Sequence, residues 1–294
     1  MDIKKFIAVL AAAAVAVSAV TVTAFAAGTK VPINEKYFPD ENFREYVKQF
    51  DTNENGSLSQ KERDPVTEIR IWYPDYDKKV VSLAGLSYFQ NLEKLDCSGN
   101  WLTKLNVSKN IKLKELSCGE NQITRLDISR NTQLKEIDCS MNELTSLDVS
   151  KNTKLESIAC NNNKLTELDV SRNTKLTSLD CMANGLTVLD ISNNTKLKFL
   201  TCSSNKLTEL DVSKHPELYW FSCDKNGLTE LDVSKNTKLY LLGCSGNNLT
   251  KLDVSRNTEL NVLDCERNKL TELDVSNCAD NILIHCDENV KVIK

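Results

Sequence analysis

The apolar positions of this chain recur with a period of 21 residues. Around the first cysteine of the pattern, Leu95 and Cys97 alternate with three polar residues, Lys94, Asp96 and Ser98. This alternation predicts a short β-strand with one buried face. Ten cysteines share the spacing: Cys97, Cys118, Cys139, Cys160, Cys181, Cys202, Cys223, Cys244, Cys265 and Cys286. Such strict repetition predicts a solenoid, because each turn then places the same residue against the same neighbours.

The rest of each repeat also has a fixed pattern. An asparagine three residues after each cysteine, as at Asn100 and Asn121, is expected to satisfy buried backbone groups or to bond its neighbours in the stack. Farther on, Leu165, Leu168 and Val170 again point inward, and Asp, Ser and Asn then favour a turn. The aspartates of these turns also form a regular row. We interpret them as turn caps, with a cation-binding stripe as the alternative.

As a pattern, residues 92–102 read LxxLxCxxNxL. This pattern resembles the leucine-rich repeat, in the version found in bacterial secreted and surface proteins, the internalin-like group included. The resemblance covers about residues 66–289. It departs from the internalin type in being one residue shorter and in using cysteine where Leu or Ile is commoner. It implies a leucine-rich repeat solenoid with a parallel β-sheet on the concave face, mostly loops on the convex face, and a small helical N-terminal cap.

Residues 1–26 have the features of a secretory signal peptide. Lys4 precedes a long apolar run over residues 6–22, and Ala24 and Ala26 supply the small residues of a cleavage site. An uncleaved membrane anchor is the alternative. No later segment is apolar for long enough to cross a bilayer, so we expect no membrane insertion after cleavage. The sequence therefore predicts a secreted, extracellular protein.

Secretion makes free cysteines unusual, because exported proteins normally oxidise their thiols. In a parallel stack, however, equivalent side chains point the same way, which suits disulfide geometry badly. We expect ten buried, reduced thiols. Cys278 lies outside the 21-residue column, and a local bridge between Cys278 and Cys286 is an alternative.

Residues 27–65 are predicted to form the cap. Asp40 can cap a helix, and residues 51–62 then match the EF-hand calcium loop, with Gly56 at its sharp turn. The predicted ligands are Asp51, Asn53, Asn55, the Ser57 carbonyl, Ser59 and Glu62. Two observations oppose calcium: Ser59 and Glu62 also form a capping box, and internalin-like proteins have an EF-hand-like cap without metal. We predict a structural site with an affinity of about 10⁻⁴ to 10⁻³ M.

The concave surface is predicted to carry the binding site. In the column three residues before each cysteine, the last five residues are all apolar: Phe199, Trp220, Leu241, Val262 and Leu283. Tyr219 and Tyr240 flank this column. An exposed apolar row with aromatic anchors favours a protein partner. Binding of a glycan by Tyr219, Trp220 and Tyr240, a passive spacer, and drift of the repeats without function are the alternatives.

The composition disfavours some classes of function. With 37 Lys and Arg against 41 Asp and Glu, the net charge is −4, and the sequence has no cluster of basic residues that could bind nucleic acid. No catalytic motif is evident, so we expect a binding protein, monomeric and without enzymatic activity. Asp264, Glu266, His285 and Asp287 could form a metal or acid–base cluster, although charged repeat faces are usually only solvated. The predicted organisation is a signal peptide (1–26), a cap (27–65), repeats (66–280) and a C-terminal cap strand (281–294).

Overall fold

A computed structural model of the protein describes residues 30–71 and 78–294, which form a solenoid of about ten turns. The predicted signal peptide, residues 1–26, lies outside the described residues. The helices are α1 (Glu41–Val47) and α2 (Gln60–Arg63), with short 3-10 helices at Lys48–Phe50 and Leu86–Tyr88. The strands, in chain order, are β1 (Val31–Pro32), β2 (Ser57–Leu58), β3 (Glu68–Arg70), β4 (Lys94–Asp96), β5 (Leu105–Asn106), β6 (Glu115–Ser117), β7 (Leu126–Asp127), β8 (Glu136–Asp138), β9 (Ser157–Ala159), β10 (Ser178–Asp180), β11 (Phe199–Thr201), β12 (Trp220–Ser222), β13 (Leu241–Gly243), β14 (Val262–Asp264), β15 (Glu272–Asp274), β16 (Leu283–His285) and β17 (Lys291–Ile293).

One sheet dominates the described residues. Eleven strands pair in parallel in the order β3-β4-β6-β8-β9-β10-β11-β12-β13-β14-β16. Within the repeats from β4 to β16, each residue pairs with the residue 21 positions later, as Leu179 does with Leu200. The middle residue of most of these strands is buried and its two neighbours are not. The predicted solenoid of 21-residue repeats with a parallel sheet is therefore confirmed.

The cysteine column lies inside the solenoid, beside columns of leucine. The nine residues from Cys97 to Cys265 are buried free thiols. Burial raises the pKa of Cys139 and of Cys181 to about 12, so these thiols stay protonated and unreactive near neutral pH. The expectation of ten buried thiols was wrong by one: Cys286 is only half-buried, because the last turn has no following turn to cover it.

The asparagines after the cysteines, from Asn100 to Asn268, bind the backbone of two successive turns. The amide nitrogen of Asn142 donates to the carbonyl oxygens of Cys118 and Cys139, at 3.0 and 3.2 Å. Its amide oxygen accepts from the backbone N–H of Ile123 at 2.9 Å. The asparagine column therefore fastens neighbouring turns together through the backbone, and not through bonds between asparagine side chains.

A second asparagine column lies at the turns, thirteen residues after the cysteines. Asn236 is fully buried and donates to the carbonyl oxygens of Val212 and His215, in the turn before it. Cys278 occupies this column in the last repeat, where its Sγ lies 3.9 Å from the carbonyl oxygen of Val254. Cys278 and Cys286 are both free thiols in the structure. Cys278 is thus a substitution in the asparagine column.

His215 is the other substitution in this column, and it is fully buried. Its Nε2 contacts only the carbonyl oxygen of Ile191, at 3.1 Å. By analogy with Asn194, which donates to the carbonyl oxygen of Asn173, an asparagine at position 215 would also donate to the carbonyl oxygen of Asn194. We expect His215→Asn to raise the free energy of unfolding by about 0.5–1.5 kcal/mol, the net value of one hydrogen bond. Denaturant unfolding measures this, with Asn236→His as the reverse control, expected to lose stability. An unchanged or lower stability of His215→Asn would contradict the prediction.

The aspartate row caps the turns, as we interpreted it. Asp127 accepts a hydrogen bond from the backbone N–H of Ser129, two residues later, at 3.0 Å, and Asp148 does the same with Ser150. Bonds from Ser129 lower the pKa of Asp127, so its carboxylate is ionised near neutral pH. Local hydrogen bonds therefore account for these carboxylates.

The N-terminal cap contains more than helix. β1 pairs antiparallel with β2, which the sequence pattern did not predict. Asp40 caps α1 by accepting from the backbone N–H of Phe43, as predicted, and its other oxygen accepts from Val81 and Ser82 of the first repeat. A single buried carboxylate thus joins the cap to the solenoid.

Two short strands close the C-terminal end. β16 continues the large concave sheet beyond β14. β17 instead pairs in parallel with β15, on a different sheet. Residues 281–294 therefore contribute one strand to each of two sheets, where the sequence suggested a single cap strand. Within the described residues, no helix is both long and apolar enough to span a membrane.

Candidate protein-binding site on the concave face

The five apolar residues of the predicted binding column form a continuous row, here called the apolar stripe. Sheet pairing places Phe199 beside Trp220 and continues the row through Leu241, Val262 and Leu283. Phe199, Trp220 and Leu283 are 45%, 44% and 53% exposed, while Leu241 and Val262 are half-buried. Neighbouring side chains therefore cover the row only in part, and it presents apolar surface to solvent, most of all at Phe199, Trp220 and Leu283.

The two flanking tyrosines, Tyr219 and Tyr240, form a stacked pair. Their ring centroids are 5.2 Å apart and the rings are 11° from parallel. Phe199 meets Tyr219 edge-to-face at 6.4 Å. The pair lies immediately before β12 and β13, so the parallel register puts one ring above the other. Each tyrosine consequently has one ring face covered by its neighbour.

The N-terminal half of the same face is charged, and part of its charge is paired between turns. In the column of the apolar stripe, Lys94 pairs with Glu115 at 2.7 Å. In the column before it, Lys114 pairs with Glu93 at 2.6 Å. Exposed ion pairs of this kind contribute little stability. The first half of the face is therefore polar, with ion pairs and further carboxylates such as Asp138, and has no apolar row.

Beside the apolar stripe runs a floor of small residues, Thr201, Ser222 and Gly243, each two positions farther along its strand. A Cβ atom added to Gly243 would lie 2.8 Å from Oδ2 of Asp224. Because glycine has no side chain, the Asp224 carboxylate can occupy the space above β13. Side chains of i and i+2 share one face of a strand, so the Asp224 carboxylate lies on the concave face.

The Asp224 carboxylate is held in place by three serines. Its Oδ2 accepts from the hydroxyls of Ser222 and Ser203, at 2.5 and 3.1 Å. Its Oδ1 accepts from the backbone N–H and hydroxyl of Ser245, at 2.8 and 3.0 Å. These bonds bring together residues from three successive turns. They fix the direction in which the charge is presented.

Beyond Asp224 the floor is bordered by more carboxylates. We call Asp224, Asp264, Glu266 and Asp287 the acidic rim; all four residues are half-buried. Asp287 accepts from the backbone N–H groups of Arg267 and Asn268. In the part of the chain that the structure describes, none of the four forms a salt bridge with Lys or Arg, and no three acidic, His or Cys side chains are grouped to hold a metal. Among the described residues, the rim is thus negative charge without a cationic side chain paired to it.

The predicted calcium ligands lie in the cap loop, residues 51–62. A chain of hydrogen bonds connects four of them: Asp51 accepts from the backbone N–H of Asn55, the Asn55 and Asn53 amides are bonded to each other, and Asn53 donates to Glu62 at 2.5 Å. Glu54 and Gly56 have positive φ angles of 54° and 75°, which turn the loop sharply. The oxygen-rich side chains of the loop are therefore gathered together, as a calcium site requires.

The capping box that competes with this interpretation is also present. Both oxygens of Glu62 are engaged: Oε2 accepts from the backbone N–H and hydroxyl of Ser59, and Oε1 accepts from Thr52 and Asn53. Bonds from Ser59 are the main reason that the pKa of Glu62 falls to about 2. Glu62 is therefore ionised at neutral pH, and protein donors satisfy it. Asn53 adds a donor to Glu62 from outside the capping box, and the Asn55 amide is bonded to Asn53.

Sequence reasoning located the apolar stripe and the small floor but missed how Asp224 is held. The signal was available: Gly243 is the only glycine of its column, Ser222 precedes it in that column, and Ser203 and Ser245 lie on either side of Asp224 in the neighbouring column. The stacking of Tyr219 on Tyr240 was also missed. It depends on rotamers, which adjacency in a column does not specify.

Comparison with known proteins agrees with the geometry. A leucine-rich repeat model matches residues 161–183, and an LVIVD repeat model matches residues 181–201, the next turn of the same stack. No curated protein matches the chain. The functional domain of InlJ from Listeria monocytogenes, which includes a cysteine ladder, is 33% identical with a TM-score of 0.75, over 91% of this chain and 62% of that one. This chain therefore spans less than two thirds of that domain.

Two further solved structures share the fold. Internalin InlF from Listeria monocytogenes is 21% identical with a TM-score of 0.60, over 90% of this chain and 94% of that one. The second is the leucine-rich repeat ectodomain of the plant receptor kinase GASSHO1/SCHENGEN3 from Arabidopsis thaliana, solved in complex with CASPARIAN STRIP INTEGRITY FACTOR 2. It is 26% identical with a TM-score of 0.63, over 69% of this chain and 27% of that one. The chain therefore has the leucine-rich repeat solenoid fold of the internalins.

Proposed function

We propose that this chain is a secreted binding module that recognises a polypeptide partner through the apolar stripe. The observation that carries the proposal is the exposure of Phe199, Trp220 and Leu283 within one unbroken apolar row. Five side chains at strand spacing cover about 20 Å. A continuous exposed apolar surface with large aromatic side chains is typical of protein interaction sites.

The location of the stripe supports binding over chance drift of the repeats. The N-terminal half of the same column holds charged or small residues, among them Lys94, Ser157 and Ser178. The solenoid is equally regular in both halves, so stability does not require the apolar residues there. The solenoid neighbours include a receptor ectodomain solved with a bound factor, which supports a binding module rather than an enzyme.

The tyrosine stack favours a polypeptide over a glycan. A sugar ring binds an aromatic residue by lying on the ring face. Tyr219 and Tyr240 cover one face of each other, and Phe199 contacts Tyr219 as well. Trp220 is then the main open platform of the patch. Apolar side chains of a protein can instead pack against ring edges and against Leu241 and Val262 along the whole stripe.

Site-specific photo-cross-linking tests the proposal. A benzophenone amino acid would replace Val262 in the stripe and, in a second chain, Ser157, which holds the same position in an earlier turn. Both chains would be incubated with extracellular and cell-surface extracts and irradiated. We expect a polypeptide adduct at position 262 that is absent at position 157, identified by mass spectrometry.

Three other results would count against it. The same adducts at both positions would mean that the contact is unspecific. An adduct at position 157 alone would move the site to the charged half of the face. A carbohydrate adduct at position 262 would replace the polypeptide with a glycan at the same stripe.

We further propose that the cap loop binds calcium, with Asp51, Asn53, Asn55, Ser57, Ser59 and Glu62 as ligands and a structural role. Bound calcium would neutralise the loop carboxylates and hold the cap together. With Kd near 1 mM, 10 mM calcium would stabilise the chain by about 1.4 kcal/mol. Thermal unfolding in calcium, in magnesium and in chelator measures this.

Two variants separate calcium binding from loop structure. Asp51→Asn keeps an acceptor for the backbone N–H of Gly56, to which Asp51 is bonded at 2.7 Å, but removes the charge. It should abolish the calcium effect. Glu54→Gln removes a charge from an exposed loop position that is not a predicted ligand, and it should keep the effect. A wild-type chain that calcium does not stabilise would show that the capping box alone explains the loop.

A further inference from the structure

We infer that the partner segment is an amphipathic α-helix with Lys or Arg along one edge. It would lie along the solenoid axis in a shallow trough, formed by the apolar stripe and the small residues beside it, with its basic edge toward the acidic rim. This inference rests on the proposed function and adds the conformation and charge of the partner. It is carried by the length of the stripe, the bonding of the sheet and the carboxylates beside the stripe.

The length of the stripe suits one short helix. The Asp224 carboxylate lies over Gly243, and Asp264 is two positions after Val262, so carboxylates border the stripe directly. An α-helix with side chains is about 10–12 Å across, so a helix on the stripe would reach them with one edge. The stripe spans about 20 Å along the axis, which corresponds to about 13 residues of helix at 1.5 Å each.

The column beside the stripe is low in three of its five turns. Thr201, Ser222 and Gly243 are small, and the column then continues with Asp264 and His285. Three serines hold the Asp224 carboxylate over Gly243, beside Leu241. A helix in the trough would therefore meet apolar side chains on one flank and a fixed negative charge on the other.

The bonding of the sheet argues against an extended partner. The trough lies on the side-chain face of the sheet, and the backbone groups there pair with the neighbouring strands, for example Leu241 N–H with the Tyr219 carbonyl. An added strand would find no backbone partners on this face and would leave its own groups unpaired. A helix satisfies its backbone internally. Docking through side chains alone therefore favours the helix.

The charges on this face indicate which edge of the partner helix should be basic. In the N-terminal half of the face, cations and anions pair between turns, as Lys94 does with Glu115. In the acidic rim, the half-buried carboxylates of Asp264, Glu266 and Asp287 have no Lys or Arg in salt-bridge contact among the described residues. A partner that covers them must supply cations, because carboxylates buried without a counter-charge are costly. Lys or Arg on the rim-facing edge meets this need.

Peptide display provides the probe. A library of random 15-residue peptides would be selected on the mature chain and counter-selected on Trp220→Asp, Leu241→Asp, so that only stripe-dependent binders remain. We expect them to share apolar residues at spacings of three and four, with Lys or Arg at one edge and without proline inside. Circular dichroism of synthetic copies should show helix on binding.

Affinity measurements on two matched double variants complete the test. Asp264→Asn, Glu266→Gln neutralises two rim carboxylates, and we expect the selected peptides to bind it at least tenfold more weakly. Glu209→Gln, Glu230→Gln removes the same charge from exposed positions outside the concave strands, and binding should not change. Stripe-dependent peptides that bind without helix, or that bind the rim variant equally well, would overturn the inference and leave the proposed function standing. A selection without stripe-dependent peptides would contradict both.

Discussion

The double variant Trp220→Asp, Leu241→Asp is expected to bind the cross-linked partner at least about 100-fold more weakly than the wild-type chain. Trp220 is a large exposed aromatic residue of the stripe, and Leu241, the middle residue of the five, is its direct neighbour in the sheet. Aromatic anchors at the centre of an interface commonly contribute 2 kcal/mol or more each. Two carboxylates in their place would also have to be desolvated on binding.

The loss should concern binding and not folding. Both side chains lie on the outer face of the sheet. The next residue of each strand, Phe221 or Leu242, is buried in the core and is unchanged in the variant. Titration calorimetry would measure the affinity, and denaturant unfolding the stability. The matched control is Ser157→Asp, Ser178→Asp, which adds the same charges to adjacent turns of the same column. Equal affinity of wild type and the Trp220 variant would place the partner elsewhere on the solenoid.

Asn142→Ala is expected to lower the free energy of unfolding by about 3–5 kcal/mol. Asn142 is buried and connects two successive turns through four hydrogen bonds. Alanine would leave the buried backbone N–H of Ile123 without its asparagine partner, and the carbonyl oxygen of Cys118 would keep only the bond from Asn121. Each buried polar group left unpaired costs about 1–3 kcal/mol. The loss should propagate, since a solenoid is held together by contacts between neighbouring turns.

Denaturant unfolding followed by circular dichroism measures this change. Asn161→Ala is the control, because Asn161 lies in the adjacent column, is half-buried and forms no side-chain hydrogen bond as donor or acceptor in the described structure. It should shift stability by less than about 0.5 kcal/mol. A loss below 1 kcal/mol for Asn142→Ala would mean that water replaces the amide without cost, and that the column is not what fastens the turns.

The two halves of the concave face show how a regular scaffold acquires a site. Core columns of Leu, Cys and Asn hardly vary along the chain, since every turn must match its neighbours. The outward columns are free of that constraint. They carry ion pairs between turns in the early repeats, such as Lys114 with Glu93, and an apolar stripe beside an acidic rim in the later ones. The site is therefore a local departure in surface chemistry on an unchanged backbone.

By itself, the sequence determined the fold and the composition of the stripe. A period of 21 residues implies stacking in register, so residues 21 apart, such as Phe199 and Trp220, must be neighbours. Alternation within each repeat then separates buried from exposed positions. Both inferences need only chain geometry, which is why they could be made without the tertiary structure.

Other features could be determined only from the tertiary structure, because they depend on side-chain conformations or on the ends of the stack. The rotamers that stack Tyr219 on Tyr240, the bend of the Asp224 carboxylate over Gly243 and the burial of His215 depend on the shape left by neighbouring turns. The partial exposure of Cys286 arises because the last turn lacks a following one. A periodic sequence specifies what repeats, whereas these features arise where side chains from different turns compete for one space or where the repetition ends.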